Sequence, residues 1–212
     1  MQWTLVIPLK PLARAKSRLA DTAADGVRPS LALAFAQDTV AAALACQSVK
    51  DVAVVTDDAL AGRELAALGA RIVPDTPGSG LNAALRHGAA AVRASRPESP
   101  VAALNADLPA LRPLELARVL DAAAEFPRAF LPDTAAIGTT LLAAVPGHEL
   151  APAFGLDSRA RHAASGAAEL ALVGVDSVRQ DVDTGADLRA ALALGVGPRT
   201  ATVAARLLIP DQ

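Results

Sequence analysis

Short apolar segments alternate with Ala/Leu-rich helical ones through the first half of this chain, and that alternation constrains the fold more than any single residue does. "WTLVIP" reads as a strand, followed by a helix with a proline-containing start that runs from Pro29 and Ser30 to about Gln47. "DVAVVTD", "ARIVPD" and "PVAALNAD" read as three more strands, separated by "ALAGRELAALG" and "GLNAALRHGAAAVRAS" as helices. Parallel strands need a crossover, and helices commonly supply it. The pattern therefore predicts an α/β fold, a mostly parallel sheet flanked by helices on both faces. Ligands of such a sheet bind beyond the carboxyl ends of its strands, and Asp107 in "VAALNADLPAL" is at such an end.

The second half changes rhythm. "PLELARVLDAAAE" reads as a helix, "RAFLPD" and "GTTLLAAV" as two strands, and "LDSRARHAASG" as a short helix that Asp157 or Ser158 would cap. The tail "AELALVGVDSVRQDVDTGADLRAAL" reads as strand, loop and helix. No stretch has the composition of a flexible linker or a repeat. Residues 1–212 are accordingly expected to form one domain whose two halves build opposite walls of a cleft.

With 20 basic and 22 acidic side chains the net charge is −2, so no global field gathers nucleic acid or an anionic membrane, and any anion site is local. One Trp, four Phe and no Tyr also leave little for base stacking, and the core must be built from Leu, Val and Ala. No run reaches the roughly 18 apolar residues of a membrane span. "MQWTLVIPLK" lacks the basic start and small-residue cleavage site of a secretory signal, so the expectation is a soluble cytoplasmic protein. The single cysteine, Cys46, reads as a buried spectator thiol in a reducing compartment.

Four segments carry possible chemistry. "PLKPLARAKSRL" holds Lys10, Arg14, Lys16 and Arg18, including two of the three lysines in the chain; it is either a phosphate-binding loop or a solvated basic one. In "PDTPGSGLNAAL", residues 74–85, Gly78 and Gly80 permit positive φ or close approach, Gly80 opens a helix, and the amide of Asn82 is placed to read a purine edge; a plain turn and helix start would use the same letters.

The third segment, "RQDVDTGADL", is read together with Asp107. Asp181 and Asp183, two apart in an extended segment, project to one side. If they converge with Asp107, a divalent cation relieves the repulsion, and an oxygen shell completed by phosphates and water suits Mg²⁺. The competing reading makes Asp183 or Thr184 the cap of the last helix, paired with Asp187 as in a capping box. Finally, "PDTAAIGTTLLAA" and "FGLDSRARH" offer Thr139, Thr140, Gly155 and Ser158, with Arg159, Arg161 and His162 nearby, as a second anion site sized for a small phosphorylated acid. His162 reads as an orienting or surface residue. No zinc pattern, Ser-His-Asp set or nucleophilic Cys arrangement is legible.

Taken in order, "PLKPLARAKSRL", "GLNAAL", "NADLPAL", "PDTAAIGTTLL", "FGLDSRARH" and "DVDTGADL" resemble the CofC/FbiD-type guanylyltransferases of deazaflavin coenzyme F-420 biosynthesis, over about residues 5–188. The resemblance implies a nucleotidyltransferase-like (GT-A/MobA-like) fold with a nucleotide-binding half at about residues 1–110 and an acceptor and metal half at about 111–195. It implies transfer of GMP from GTP to a phosphorylated three-carbon acid: phosphoenolpyruvate in the Ala- and Arg-rich actinobacterial type, with 2-phospho-L-lactate or 3-phosphoglycerate as alternatives.

Carried over residue by residue, it places GTP on Lys10, Lys16, Arg18, Gly80 and Asn82, the acceptor on Thr140, Gly155 and Ser158, and Mg²⁺ on Asp107, Asp181 and Asp183; Lys16 and Asp107 would be catalytic. Asn105 stands where a small residue or proline is expected, and Ile137 where a glycine is common. Neither is expected to touch the ligand set directly, but Ile137 would narrow the acceptor pocket. A molybdenum-cofactor or sugar-phosphate nucleotidyltransferase would open with a glycine-rich "LAGG"-like loop, which this chain lacks. A non-catalytic nucleotide-binding regulator is the alternative from another class. Oligomeric state and coupling to the next pathway enzyme stay open at this level.

Overall fold

The computed structural model describes residues 1–14, 27–76 and 78–207. β1 (Trp3–Pro8) lies inside a seven-stranded sheet, and its side chains divide between two cores. Leu5 and Ile7 enter one apolar cluster and Val6 the other. The same alternation recurs in β4 (Val101–Leu104), where Ala102 and Leu104 oppose Val101 and Ala103. It recurs again in β6 (Thr139–Ala144), where Leu141 and Ala143 oppose Leu142 and Ala144. Strands buried on both faces read as continuous apolar runs, the pattern of a sheet between helical layers.

α1 (Arg28–Leu44) supplies Ala36, Val40 and Ala43 to the first cluster, whereas α3 (Leu81–Ser95) supplies Ala84, Leu85, Ala89 and Val92 to the second. The two helices therefore cover opposite faces. Gly88 lets α3 approach closely, since a Cβ there would stand 2.6 Å from both Val6 Cγ1 and Val55 Cγ2.

On one side of β1 the sheet continues through β2 (Val49–Val55) and, beyond α2 (Ala59–Ala67), β3 (Arg71–Val73), all parallel. On the other side β4 pairs with β1 in parallel. Then come β6, antiparallel to its neighbours, β5 (Arg128–Pro132) and the two-residue β7 (Ala168–Glu169), in the order β3-β2-β1-β4-β6-β5-β7. The mostly parallel arrangement holds, with one reversed strand. That reversal brings the amino end of β6 to the edge where β1, β4 and β5 end. Because β2 and β4 flank β1 on opposite sides, this edge carries the topological switch point at which α/β sheets bind ligands.

Several local expectations need correction. The first helix ends at Leu44, short of Gln47. α4 (Pro113–Ala123) forms as read, but α5 (Ser158–Ala164) lacks its expected cap: Asp157 holds the N-cap position at φ 54° and makes no side-chain capping bond, and Ser158 is already helical. The tail contributes only the short β7 and then α6 (Asp176–Arg179), α7 (Gly185–Leu194) and an unexpected α8 (Pro198–Leu207). α8 begins where the Asp38 carboxylate of α1 accepts from the Thr200 and Arg199 N–H groups, at 2.7 and 3.3 Å. Free N–H groups and the positive end of the helix dipole satisfy that buried charge. The Cys46 thiol is buried in the first core, and burial pushes its pKa up. Among the described residues no helix is long and apolar enough to cross a membrane.

Candidate active site

A cleft of about 590 Å³ opens at the switch-point edge of the sheet. Its floor is built by the residues that leave the sheet: Pro8, Leu9 and Lys10 after β1, and Asn105, Ala106 and Asp107 after β4. One wall comes from the segment before α7, with Asp181 and Asp183, and the other from the turn into β6 and the residues around Gly155 and Ser158.

The acidic wall is tied to the floor through backbone. Val182 donates its N–H to the Asp107 carbonyl at 3.1 Å, so Asp107, Asp181 and Asp183 border the same cleft despite their separation in sequence. Asn105 joins them, contrary to expectation: its Nδ2 donates to Asp181 Oδ2 at 3.4 Å, while its own N–H donates to the Thr140 carbonyl at 3.0 Å. The three aspartates do not form a closed cage, however. Among the described residues no group of three or more His, Cys, Asp or Glu side chains is placed to hold a metal ion unaided. The donor set is nonetheless all hard oxygen. It fits a cation that keeps some of its shell for phosphate and water, as Mg²⁺ does.

The capping alternative for this segment is also present, on Thr184 and Asp187. Thr184 Oγ1 accepts from Asp187 N–H, and Asp187 Oδ2 accepts from the N–H groups of Thr184 and Asp183. This box fixes the chain direction just after Asp183, so capping and an acidic cleft wall are served by different residues of one segment.

The opposite wall is shaped by two devices. In the first, the Asp133 carboxylate accepts from the Ile137 and Gly138 N–H groups at 3.0 and 2.9 Å and closes the turn that leads into β6. A Cβ at position 138 would push against that carboxylate, so a side chain there would displace the group that closes the turn. In the second, the segment before α5 is held by His162. The ring is fully buried, stacked edge-on against Phe154 with centroids 5.0 Å apart. Its Nε2 accepts from Ala153 N–H at 2.9 Å, which leaves Nδ1 to carry the proton and donate to Thr139 Oγ1, also at 2.9 Å. Burial first, then the nearby Arg128 and Arg161 charges, push the imidazole pKa down to about 4, so the ring is neutral.

Gly155, at φ 110°, and the buried Ser158 both line the cleft, as read from the sequence. Thr139 lines it too, whereas Thr140 is fully buried with a hydroxyl that has no hydrogen-bond partner among the described residues. Lys10 reaches the floor; Lys16 and Arg18 lie outside the described residues. Gly80 caps α3 at φ 93°, and its neighbour Leu81 borders the cleft. Asn82 departs from its expected use. Its Oδ1 accepts from Phe154 N–H at 2.8 Å and its Nδ2 donates to the Phe154 carbonyl at 3.0 Å, so both ends of the amide are engaged within the protein and not presented to a purine.

Sequence reasoning missed Asp133 altogether and left His162 without a definite place. The spacing of His162 four residues after Ser158, one helical turn, was the available signal that both face inward.

Comparison with known proteins places this geometry in context. A family model described as "Guanylyl transferase CofC like" matches residues 3–200. A phosphoenolpyruvate guanylyltransferase of Streptomyces coelicolor is 81% identical over 212 residues, covering 100% of both chains. One of the same name from Thermomonospora curvata is 63% identical over 98% of this chain and 90% of its own. Among solved structures, a nucleotidyl transferase from Methanothermobacter thermautotroptrophicus superposes with a TM-score of 0.65 at 20% identity, covering 91% of this chain and 97% of that one. A CMP:2-keto-3-deoxy-manno-octonic acid synthetase complexed with CTP superposes at 0.57 and 18%, covering 92% and 98%. The fold is thus nucleotidyltransferase-like.

Proposed function

The chain belongs to the CofC-like guanylyl transferase family, and on that premise we propose that it transfers GMP from GTP to phosphoenolpyruvate, giving enolpyruvyl-diphospho-5′-guanosine and pyrophosphate for deazaflavin coenzyme F-420 biosynthesis in the cytoplasm. The observation that carries the reading is one cleft at the switch point that is lined both by Asp107, Asp181 and Asp183 and by the Gly155 and Ser158 segment. Two anionic substrates can meet there, the nucleotide held by the first half of the chain and the acceptor by the second.

In this reading Lys10, with Lys16 and Arg18 of the same basic stretch of sequence, binds the triphosphate as point charges and forks. The Gly155 amide and Ser158 hydroxyl hold the acceptor. The Thr140 hydroxyl, which the resemblance also assigns to the acceptor, is fully buried and does not line the cleft, so the acceptor contacts proposed here are those of Gly155 and Ser158. Asp107, Asp181 and Asp183 are the residues that would hold Mg²⁺, which when bound offsets phosphate charge and stabilises the crowded phosphorus.

An oxygen of the acceptor phosphate attacks the α-phosphorus of GTP. The new P–O bond forms as the α–β bridging P–O bond breaks, and pyrophosphate leaves. No protein nucleophile is required, because the attacking oxygen is already ionised at neutral pH; the protein's task is alignment and charge neutralisation.

The test is pyrophosphate release from GTP and Mg²⁺ with phosphoenolpyruvate, 2-phospho-L-lactate or 3-phosphoglycerate, with the next pathway enzyme added as a trap. Release with phosphoenolpyruvate alone is expected. Release only with another acid would overturn the choice of acceptor, and silence with all three would overturn the reaction.

A further inference from the structure

We propose that Asn82 is a positioning residue for the acceptor, acting through Phe154 to hold the Gly155 and Ser158 segment in the cleft; the inference rests on the functional reading above. Asn82 is in the first turn of α3, on the nucleotide side of the cleft, 72 residues from the segment it grips. Phe154 N–H requires an acceptor and its carbonyl a donor, so the orientation of the amide is fixed by its partners. One side chain thereby satisfies both backbone groups of a buried residue, in the manner of a neighbouring strand. Arg161 Nη2 adds a second donor to the Phe154 carbonyl at 3.1 Å.

The turn from Gly155 to Ser158 is held mainly by its own backbone. Gly155 and Asp157 both take positive φ, at 110° and 54°, and Leu156 between them is 83% exposed. The turn is closed by Ser158 N–H donating to the Gly155 carbonyl at 3.1 Å. A turn of this kind moves as a unit on its stem. The directions of the Gly155 amide and Ser158 hydroxyl are therefore set by where the two stems are pinned: Phe154 before the turn, and α5 after it, where Arg159 N–H donates to the Ile137 carbonyl at 3.1 Å. His162 holds Ala153 on one flank, and Asn82 holds Phe154 itself.

The inference separates cleanly from a guanine-reading role. Asn82→Leu keeps the side-chain volume and removes both hydrogen bonds; with losses typical of two buried bonds, the KM for phosphoenolpyruvate is expected to rise about 10-fold or more. The KM for GTP and the preference for GTP over ITP are expected to stay put, and Asn82→Asp, which keeps the acceptor for Phe154 N–H but sets an oxygen against the Phe154 carbonyl, to raise the KM for phosphoenolpyruvate as well. Hydrogen exchange at the Phe154 amide is expected to quicken in Asn82→Leu while amides in the later turns of α3 stay protected.

A fall in GTP affinity or guanine preference with an unchanged acceptor KM would overturn the proposal, as would no change in either constant. If the wild-type chain turns over none of the acids, the functional reading fails on its own. Unchanged exchange at Phe154 would then overturn the positional claim independently, and faster exchange would uphold the grip of Asn82 on the segment.

Discussion

Replacing His162 with phenylalanine tests whether a neutral buried imidazole holds the acceptor wall together. The ring is fully buried, its Nε2 accepts from Ala153 N–H, and its pKa lies at about 4 against an ordinary 6.5. Its folded pKa is depressed, so the unfolded chain takes up the proton first as pH falls. The contribution to stability is complete above about pH 6.5 and is lost progressively down to about pH 4, where the folded ring also protonates. At 1.36 kcal/mol for each pKa unit the full loss is about 3 kcal/mol, of which about 2 kcal/mol falls between pH 7 and pH 5. Phenylalanine keeps the contacts with Phe130 and Phe154 but cannot titrate. It also leaves the Ala153 N–H and the Thr139 hydroxyl without their partner, at about 1–3 kcal/mol for each group that stays buried and unsatisfied. Urea unfolding at pH 7, 6 and 5 should therefore show a variant that is less stable at pH 7, with a deficit that shrinks by about 2 kcal/mol by pH 5. A deficit that is constant with pH, or that widens in acid, would refute the reasoning.

The same geometry predicts the outcome of other perturbations. Asp107→Asn is expected to leave the unfolding midpoint nearly unchanged while lowering turnover by more than the roughly 10- to 100-fold typical of residues that only support a metal ligand; near-normal turnover would remove Asp107 from the cation site. Gly88→Ala places a methyl group 2.6 Å from Val6 and Val55 side-chain carbons, and a cost of about 1–3 kcal/mol should appear as a lower Tm. Asp38→Ala removes the carboxylate that receives the amino end of α8, and a loss of about 1–2 kcal/mol is expected, seen first as faster amide exchange at Thr200.

The residues that were legible in sequence are those whose reasons are local. Continuous apolar runs in β1, β4 and β6 and the intervening helical stretches announce the layered sheet, and the capping box of Thr184 and Asp187 spans only four residues. α8 was not legible because the carboxylate that starts it, Asp38, is on α1, 162 residues from Thr200. Asn82 reads as a ligand contact in the sequence because its partner in the fold, Phe154, is 72 residues away. Its chemistry, one acceptor and one donor, suits a purine edge and a peptide group equally well, and only the fold decides between them. Asp107, Asp181 and Asp183 line one cleft but stop short of a closed cage, a feature that depends on the path set by Val182 and the Asp107 carbonyl and so is not legible in the sequence. His162 needed the tertiary packing of Phe130 and Phe154 to become a buried acceptor.

The most direct measurement tracks the phosphorus. GTP labelled at the α-phosphorus is incubated with the chain, Mg²⁺, phosphoenolpyruvate and the trapping enzyme, and the products are separated and identified by mass. The account predicts that the α label leaves GTP in a diphosphate-linked adduct that contains the acceptor's carbons, with unlabelled pyrophosphate released in equal amount. Label recovered as free GMP, or transfer of the γ-phosphorus to the acid in its place, would contradict it.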